Sequence, residues 1–190
     1  MSNSSFEEVG PNGSSTSFTG LEGGGSSAAN NWWVWNNTPG TTTTELLPST
    51  LPNGGDKMLH VTTQWNSGIW QPFLPYNTGP NEVISSAWVY VISGNVGIGT
   101  GNGGNTGLNV ISSTTNQWQL LQVRNFVSPA NEFIVYSTSS SGAEFYVDMA
   151  RVEPVEKKSV PEPCSVFGLL AIGALGAKAI IKNKLVSKNK

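Results

Sequence analysis

SSAWVYVIS, residues 85–93, decides the fold. Ala87, Val89 and Val91 fall on one side of an extended chain, and Trp88, Tyr90 and Ile92 fall on the other. A period of two is the spacing of a strand, whose side chains alternate across a sheet. A helix would group apolar residues three and four apart, and no such stripe occurs before residue 164. The β-branched and aromatic residues of this stretch suit a pleated, half-buried surface.

The same pattern extends outward in both directions. Strands are expected over 5–9, 31–36, 42–47, 58–64, 69–74, 84–92, 95–100, 108–112, 118–125, 132–137 and 144–152. Each is short, rich in Val, Ile, Thr or aromatic residues, and bounded by Gly, Pro or Asn. In EFYVDMARV, strict alternation puts Phe145, Val147, Met149 and Arg151 on one face, opposite Tyr146, Asp148, Ala150 and Val152. Many short strands with regular turn signals predict an all-β sandwich or barrel.

Composition narrows the function classes. Apolar residues make up 37% and charged residues 12% of the 190, both low for an intracellular globular protein. Residues 1–156 hold eleven acids and three bases (Lys57, Arg124, Arg151) and sum to −8; residues 157–190 hold seven lysines and one glutamate and sum to +6. An acidic body repels phosphate backbones, so nucleic acid is not an expected partner. The single cysteine, Cys164, leaves the body without a disulfide or a thiolate metal site. Cys164 itself reads as a small apolar residue of the C-terminal run.

That C-terminal run asks for its own account. Residues 155–163 read as a Pro-containing linker, and 164–177 carry no charge. Continued through Lys178 to residue 181, the run makes eighteen residues, or about 27 Å of helix, close to the hydrocarbon thickness of a bilayer. Pro161 and Pro163 bar the helix from starting earlier. Lys182, Lys184, Lys188 and Lys190 follow, and the positive-inside rule keeps residues 182–190 in the cytoplasm with the body across the membrane. The organisation expected is therefore a β-domain over 1–154, a linker over 155–163, a transmembrane helix over 164–181 and a basic cytoplasmic tail over 182–190.

Val160, Pro161, Glu162 and Pro163, the apolar segment and the lysine-rich end, in that order, resemble the PEP-CTERM sorting signal. The resemblance implies export from a bacterium, retention by the tail, and processing near the motif by an exosortase-type membrane peptidase. It also implies a cell-surface or extracellular location and a link to exopolysaccharide and biofilm matrix. Two features depart from the pattern: Lys178 interrupts the apolar segment, and MSNSSFEEVG has neither the basic nor the apolar region of a signal peptide. The chain starts after such a leader, its start is misplaced, or the protein stays inside.

The body resembles galactose-binding-like jelly rolls, the fold of many carbohydrate-binding modules. The landmarks are Ser4-Ser5-Phe6-Glu7, the Asn-Trp-Trp at 31–33, the strand through Trp88, then Trp118, then Phe145-Tyr146-Val147-Asp148. In that family the first and last strands run side by side and often hold a structural calcium. The resemblance puts Glu7 and Asp148 at those positions, and calcium takes six to eight oxygens from carboxylates and carbonyls.

Sugar recognition needs aromatic platforms, because the apolar face of a pyranose stacks on a ring while flanking amides bond its hydroxyls. Trp65 and Trp70 flank a Gly turn in QWNSGIWQ, and Trp88 shares a strand face with Tyr90, so these four are the candidate contacts for polysaccharide. Alternation sets Trp33 and Trp35 against Trp32, so part of that cluster faces away from the core. Gly99-Thr-Gly101-Asn-Gly-Gly104 fits a dinucleotide fingerprint, but no helix pattern follows it. His60, the lone histidine, is expected without a partner. No acidic pair stands in a catalytic context. The expected protein is an exported, non-enzymatic surface or matrix component whose jelly roll contacts polysaccharide. The rival is a purely structural, self-associating matrix protein, and a small glycan-active enzyme ranks third.

Overall fold

A computed structural model describes residues 1, 3–20, 25–73, 81–102, 105–106, 109–127 and 131–155. The chain divides into two units, Met1–Val155 and Glu156–Lys190. The Val-Pro-Glu-Pro motif at 160–163, Cys164, the predicted span over 164–181 and the basic end lie outside the described residues. Among the described residues no helix is long and apolar enough to cross a membrane.

The first unit is an antiparallel β-sandwich. Its strands are β1 (Ser15–Gly20), β2 (Gly25–Ser26), β3 (Trp33–Trp35), β4 (Gly40–Pro48), β5 (Lys57–Thr63), β6 (Gly68–Phe73), β7 (Asn81–Ser93), β8 (Val96–Asn102), β9 (Asn105–Thr106), β10 (Val110–Ile111), β11 (Trp118–Val127), β12 (Asn131–Ser137) and β13 (Ala143–Pro154). One sheet runs β1-β4-β5-β13-β7-β11; the other runs β10-β8-β12-β6-β3-β2, with β9 hairpinned onto β8. The all-β sandwich expected from the alternation is present, in the jelly-roll form that the resemblance implies.

β7 behaves as its sequence demands. Val83, Ala87, Val89 and Val91 are buried, whereas Trp88, Tyr90 and Ile92 are only half-buried on the outer face. Its inner residues join Leu59, Val61, Phe145 and Val147 of the same sheet in one core with Ile69, Phe73, Ile98, Phe133 and Val135 of the other. Trp32 fills one part of it, tilted against Phe6 at 4.9 Å and edge-on to Phe133 at 6.2 Å between ring centroids. Several buried polar groups are paired, as burial favours, although among the described residues Ser85 Oγ is not. Thr42 Oγ1 donates to Asn36 Oδ1 at 2.6 Å and lies 2.6 Å from Thr63 Oγ1.

Three expectations are corrected. Residues 5–9 form no strand. Phe6 turns into the left-handed region (φ 58°) to drive its ring into the core, and only Val9 makes a bridge, to Ala29. The segment still lies beside the last strand, since the Ala150 amide donates to the Ser4 carbonyl at 2.8 Å. Instead β1 pairs with β4, supported by hydroxyl bonds of 2.8 Å between Thr16 and Thr44 and between Thr19 and Thr41. Second, alternation fails in β13. Met149 sits at φ 47° and the register with β7 shifts between Asp148 and Arg151. One extra residue in a bulge inverts the parity beyond it, so Ala150 and Val152, not Met149 and Arg151, continue the core face. Third, His60 has a partner: its Nε2 lies 3.0 Å from Glu144 Oε1. Residues 99–102, the front of the glycine-rich fingerprint, belong to β8.

Candidate functional site

The outer face of the seven-stranded sheet collects aromatic rings because neighbouring strands place outward residues in register. Trp33 of β3 pairs with Trp70 of β6, and their indoles stack with centroids 6.0 Å apart at 25°. One row along, Trp35 pairs with Gly68, and Gly68 with Tyr136 of β12. With no side chain on the middle strand, Trp35 and Tyr136 approach to 6.2 Å at 45° across it. A Cβ on Gly68 would run into the Val135 carbonyl and the Tyr136 backbone, so the glycine is required.

β8 continues the same logic. It turns Gly97 and Gly99 toward this face, and the Tyr136 ring lies over Gly97, about 3.0 Å from where a Cβ would sit. Asn109 fills the space above Gly99 and hydrogen-bonds Tyr136. Glu132, on the same face of β12, is partly buried, and burial raises its carboxyl above the usual range. Trp33 remains 38% exposed. The face therefore offers an exposed indole, with a buried, fixed phenol and a partly buried carboxyl further along it, a set able to stack on a sugar ring and bond its hydroxyls.

The four rings chosen from sequence do not form one site. Trp70 is in the stacked pair. Trp65 stands on the turn between β5 and β6, 47% exposed, and its carbonyl accepts from Thr38 and Ser67. Trp88 and Tyr90 lie on the outer face of the other sheet, in register with Leu120 and Trp118 of β11. The partners that sequence reasoning passed over are Tyr136, Tyr146, Glu132 and His60. Parity within β12 and β13 would have turned the first three outward. Strand pairing, which brings them to their neighbours, is not written locally.

Glu7 and Asp148 meet near the 49–56 loop. Asp148 is fully buried; Ser49 Oγ donates to its Oδ2 at 2.7 Å and the Met149 amide to its Oδ1 at 2.7 Å. Burial pushes its carboxyl up to about 6, opposed by those two bonds and reinforced by the charge of Glu7. Glu7 Oε1 accepts from the amides of Asp56 and Lys57, and Lys57 Nζ donates to the Glu7 carbonyl at 2.6 Å. Gly54 and Gly55 press on the two carboxylates: a Cβ at either would collide with Asp148 Oδ2 or Glu7 Oε1. Among the described residues no group of three or more His, Cys, Asp or Glu gathers. A buried carboxylate beside a second one, cradled by bare backbone, nevertheless fits a hard cation that takes its remaining oxygens from carbonyls.

No family model matches the chain, and no curated protein matches it. Solved structures do. The CBM22-1 xylan-binding domain of Paenibacillus barcinonensis Xyn10C is 16% identical with a TM-score of 0.50, over 75% of this chain and 95% of that one. The N-terminal CBM22-1–CBM22-2 tandem domain of the same protein is 14% identical with a TM-score of 0.52, over 78% of this chain and 49% of that one. These likenesses establish the fold, a jelly-roll sandwich of the kind found in carbohydrate-binding modules.

Proposed function

We propose that the β-domain binds polysaccharide without cleaving it, through the outer face of the seven-stranded sheet. The observation that carries this reading is the stacked, partly exposed Trp33–Trp70 pair, set one strand position from Trp35 and Tyr136 on a face built around glycines. A row of rings of this kind has no role in the shared core, which lies on the other side of the sheet. A fold also used by a xylan-binding domain supports the reading. In affinity electrophoresis through soluble xylan and β-1,4-glucan, the full chain should be retarded. The Trp33→Ala/Trp70→Ala variant should lose about tenfold in affinity while keeping its melting temperature within a few degrees. Equal retardation of both proteins would remove this face from the proposal.

Glu7 and Asp148 would hold a structural calcium, with carbonyls of the 49–56 loop completing the oxygen set. Bound there, the ion supplies the positive charge that two neighbouring carboxylates lack. It would fasten the N-terminal segment, the 49–56 loop and the last strand to one another.

The domain reaches its place by export, with the C-terminal segment as membrane anchor and Val160, Pro161, Glu162 and Pro163 as the element an exosortase-type peptidase recognises. The support is the order of motif, apolar run and lysines in the sequence. Mass analysis of surface-displayed protein should find a C-terminus near Pro163; an intact lysine end would overturn this part.

A further inference from the structure

The six-stranded sheet carries a second row of rings on its own outer face. His60 of β5 pairs with Tyr146 of β13, Tyr146 with Tyr90 of β7, and Tyr90 with Trp118 of β11. Successive ring centroids are 5.1, 5.7 and 5.8 Å apart. Four rings thus run straight across four strands, each only half-buried. A row perpendicular to the strands repeats at the strand spacing, which is close to the length of one pyranose unit in an extended chain.

The surroundings of this row are built. The 49–56 loop lies alongside it: Ser49 holds Asp148, Leu51 is buried, and Trp118 Nε1 donates to Thr50 Oγ1 at 3.2 Å, which fixes the indole. At the far end Glu144 bonds His60 Nε2, and Glu45 stands in register with His60. The cations of the described body are engaged or distant. Lys57 bonds the Glu7 carbonyl, Arg124 pairs with Glu82, and Arg151 lies beyond the β13 bulge. A row with carboxylates at one end and no lysine or arginine rejects uronate, sulfate and phosphate, and suits an uncharged chain.

We infer that the outer face of the six-stranded sheet is a second platform, floored by His60, Tyr146, Tyr90 and Trp118, that takes a neutral polysaccharide chain lying across the strands. With the seven-stranded face occupied as well, one domain ties two chains together; the bridging, though not the second platform itself, rests on the function proposed above. This row is also the reason that Tyr90 belongs to a different site from Trp70.

The experiment uses the full chain and beads coated with β-1,4-linked xylan or β-1,4-glucan, and it scores two quantities: protein retained, and clumping of the beads. Three proteins are compared with the native one: Trp33→Ala/Trp70→Ala, Tyr90→Leu/Trp118→Leu, and the quadruple variant. Leucine keeps apolar cover on the sheet while removing the ring faces, and melting curves check that each variant folds. Native protein should clump the beads. Each double variant should still be retained, about tenfold more weakly, but should not clump them, and the quadruple variant should not be retained.

If Trp33→Ala/Trp70→Ala alone abolishes retention, or Tyr90→Leu/Trp118→Leu clumps beads like the native protein, the second platform is refuted. If Trp33→Ala/Trp70→Ala has no effect while Tyr90→Leu/Trp118→Leu abolishes retention, the row stands and the function proposed for the other face falls. No retention of native protein on either glycan refutes both. Sedimentation without beads separates the remaining occupant: a dimer that Tyr90→Leu/Trp118→Leu dissolves means that a second copy, not a glycan, covers the row.

Discussion

β7 and β13 lie side by side in one sheet and have almost the same length, yet β7 alternates unbroken from Val83 to Val91 while β13 breaks in its middle. β7 buries every second residue from Val83 to Val91. β13 does so through Val147, then admits an extra residue at Met149 and resumes with the parity reversed. The break falls where Asp148 turns its carboxyl toward Ser49 and the neighbourhood of Glu7. The contrast teaches what alternation is for. It is kept where a strand only has to bury apolar area, and given up where a polar group must be held against a loop.

The largest effects should come from the regular part that both strands share. Phe145 is fully buried, and Phe145→Ala should cost about 3–5 kcal/mol. In β7, Val89→Ala should cost about 2 kcal/mol from lost methyl burial and the space left behind. Their outward neighbours set the scale: Tyr146→Ala and Tyr90→Ala should each cost less than half the Phe145 figure. Urea unfolding measures all four. Outward losses as large as inward ones would mean that the two faces are not distinguished as drawn.

An intermediate effect belongs to Asp148 and changes sign with metal. Its carboxyl titrates at about 6 when folded, against 3.8 as an ordinary aspartate. The folded state therefore binds this proton more tightly than the unfolded chain. Its contribution is fully present below pH 3.8 and is lost as pH rises to about 6. In chelator, the melting temperature of native protein relative to Asp148→Asn should fall between pH 4 and pH 6.5. Calcium needs the ionised group, so in millimolar calcium native protein should gain stability at pH 7 and lose that gain on acidification. Asp148→Asn should be neutral or stabilising in chelator and destabilising in calcium. Identical native melts with calcium and chelator at pH 7 would rule out the ion. A native-minus-Asn difference that ignores pH would rule out the buried carboxyl, and the two results are independent.

What could be read from the sequence follows the same division. β5, β6, β7, β11 and β12 are legible because their inner residues are mostly apolar and their turns are marked by Gly, Pro or Asn. β1 was not, since STSFTG holds to β4 through threonine hydroxyls and gives no run of apolar residues. Residues 5–9 misled because Phe6 reaches the core from a turn rather than from a strand. The parity of Trp33 and Trp35 against Trp32 was legible, and Trp32 is the one in the core. Their partners were not, because Trp70 and Tyr136 arrive from strands far along the chain, and register between distant strands is a property of the whole sheet. The same holds for the row from His60 to Trp118.

The smallest effect probes the bulge directly, by comparing alanine with glycine at one position in each strand. Met149 holds φ 47°, where a Cβ costs about 1–2 kcal/mol and glycine does not. Ser86 of β7, opposite Arg151, is in regular strand, where glycine is worse than alanine by about 0.5–1 kcal/mol. Both alanine variants have already lost the native side chain, so the step from alanine to glycine isolates the backbone. That step should stabilise the protein by about 1 kcal/mol at 149 and destabilise it by a similar amount at 86, giving opposite shifts of the urea midpoint with unchanged slope. Met149→Val should be the worst of the set, because a branched side chain tolerates the left-handed region least. Glycine worse than alanine at both positions would mean that the chain does not hold its left-handed turn at 149, and the difference between the two strands would vanish with it.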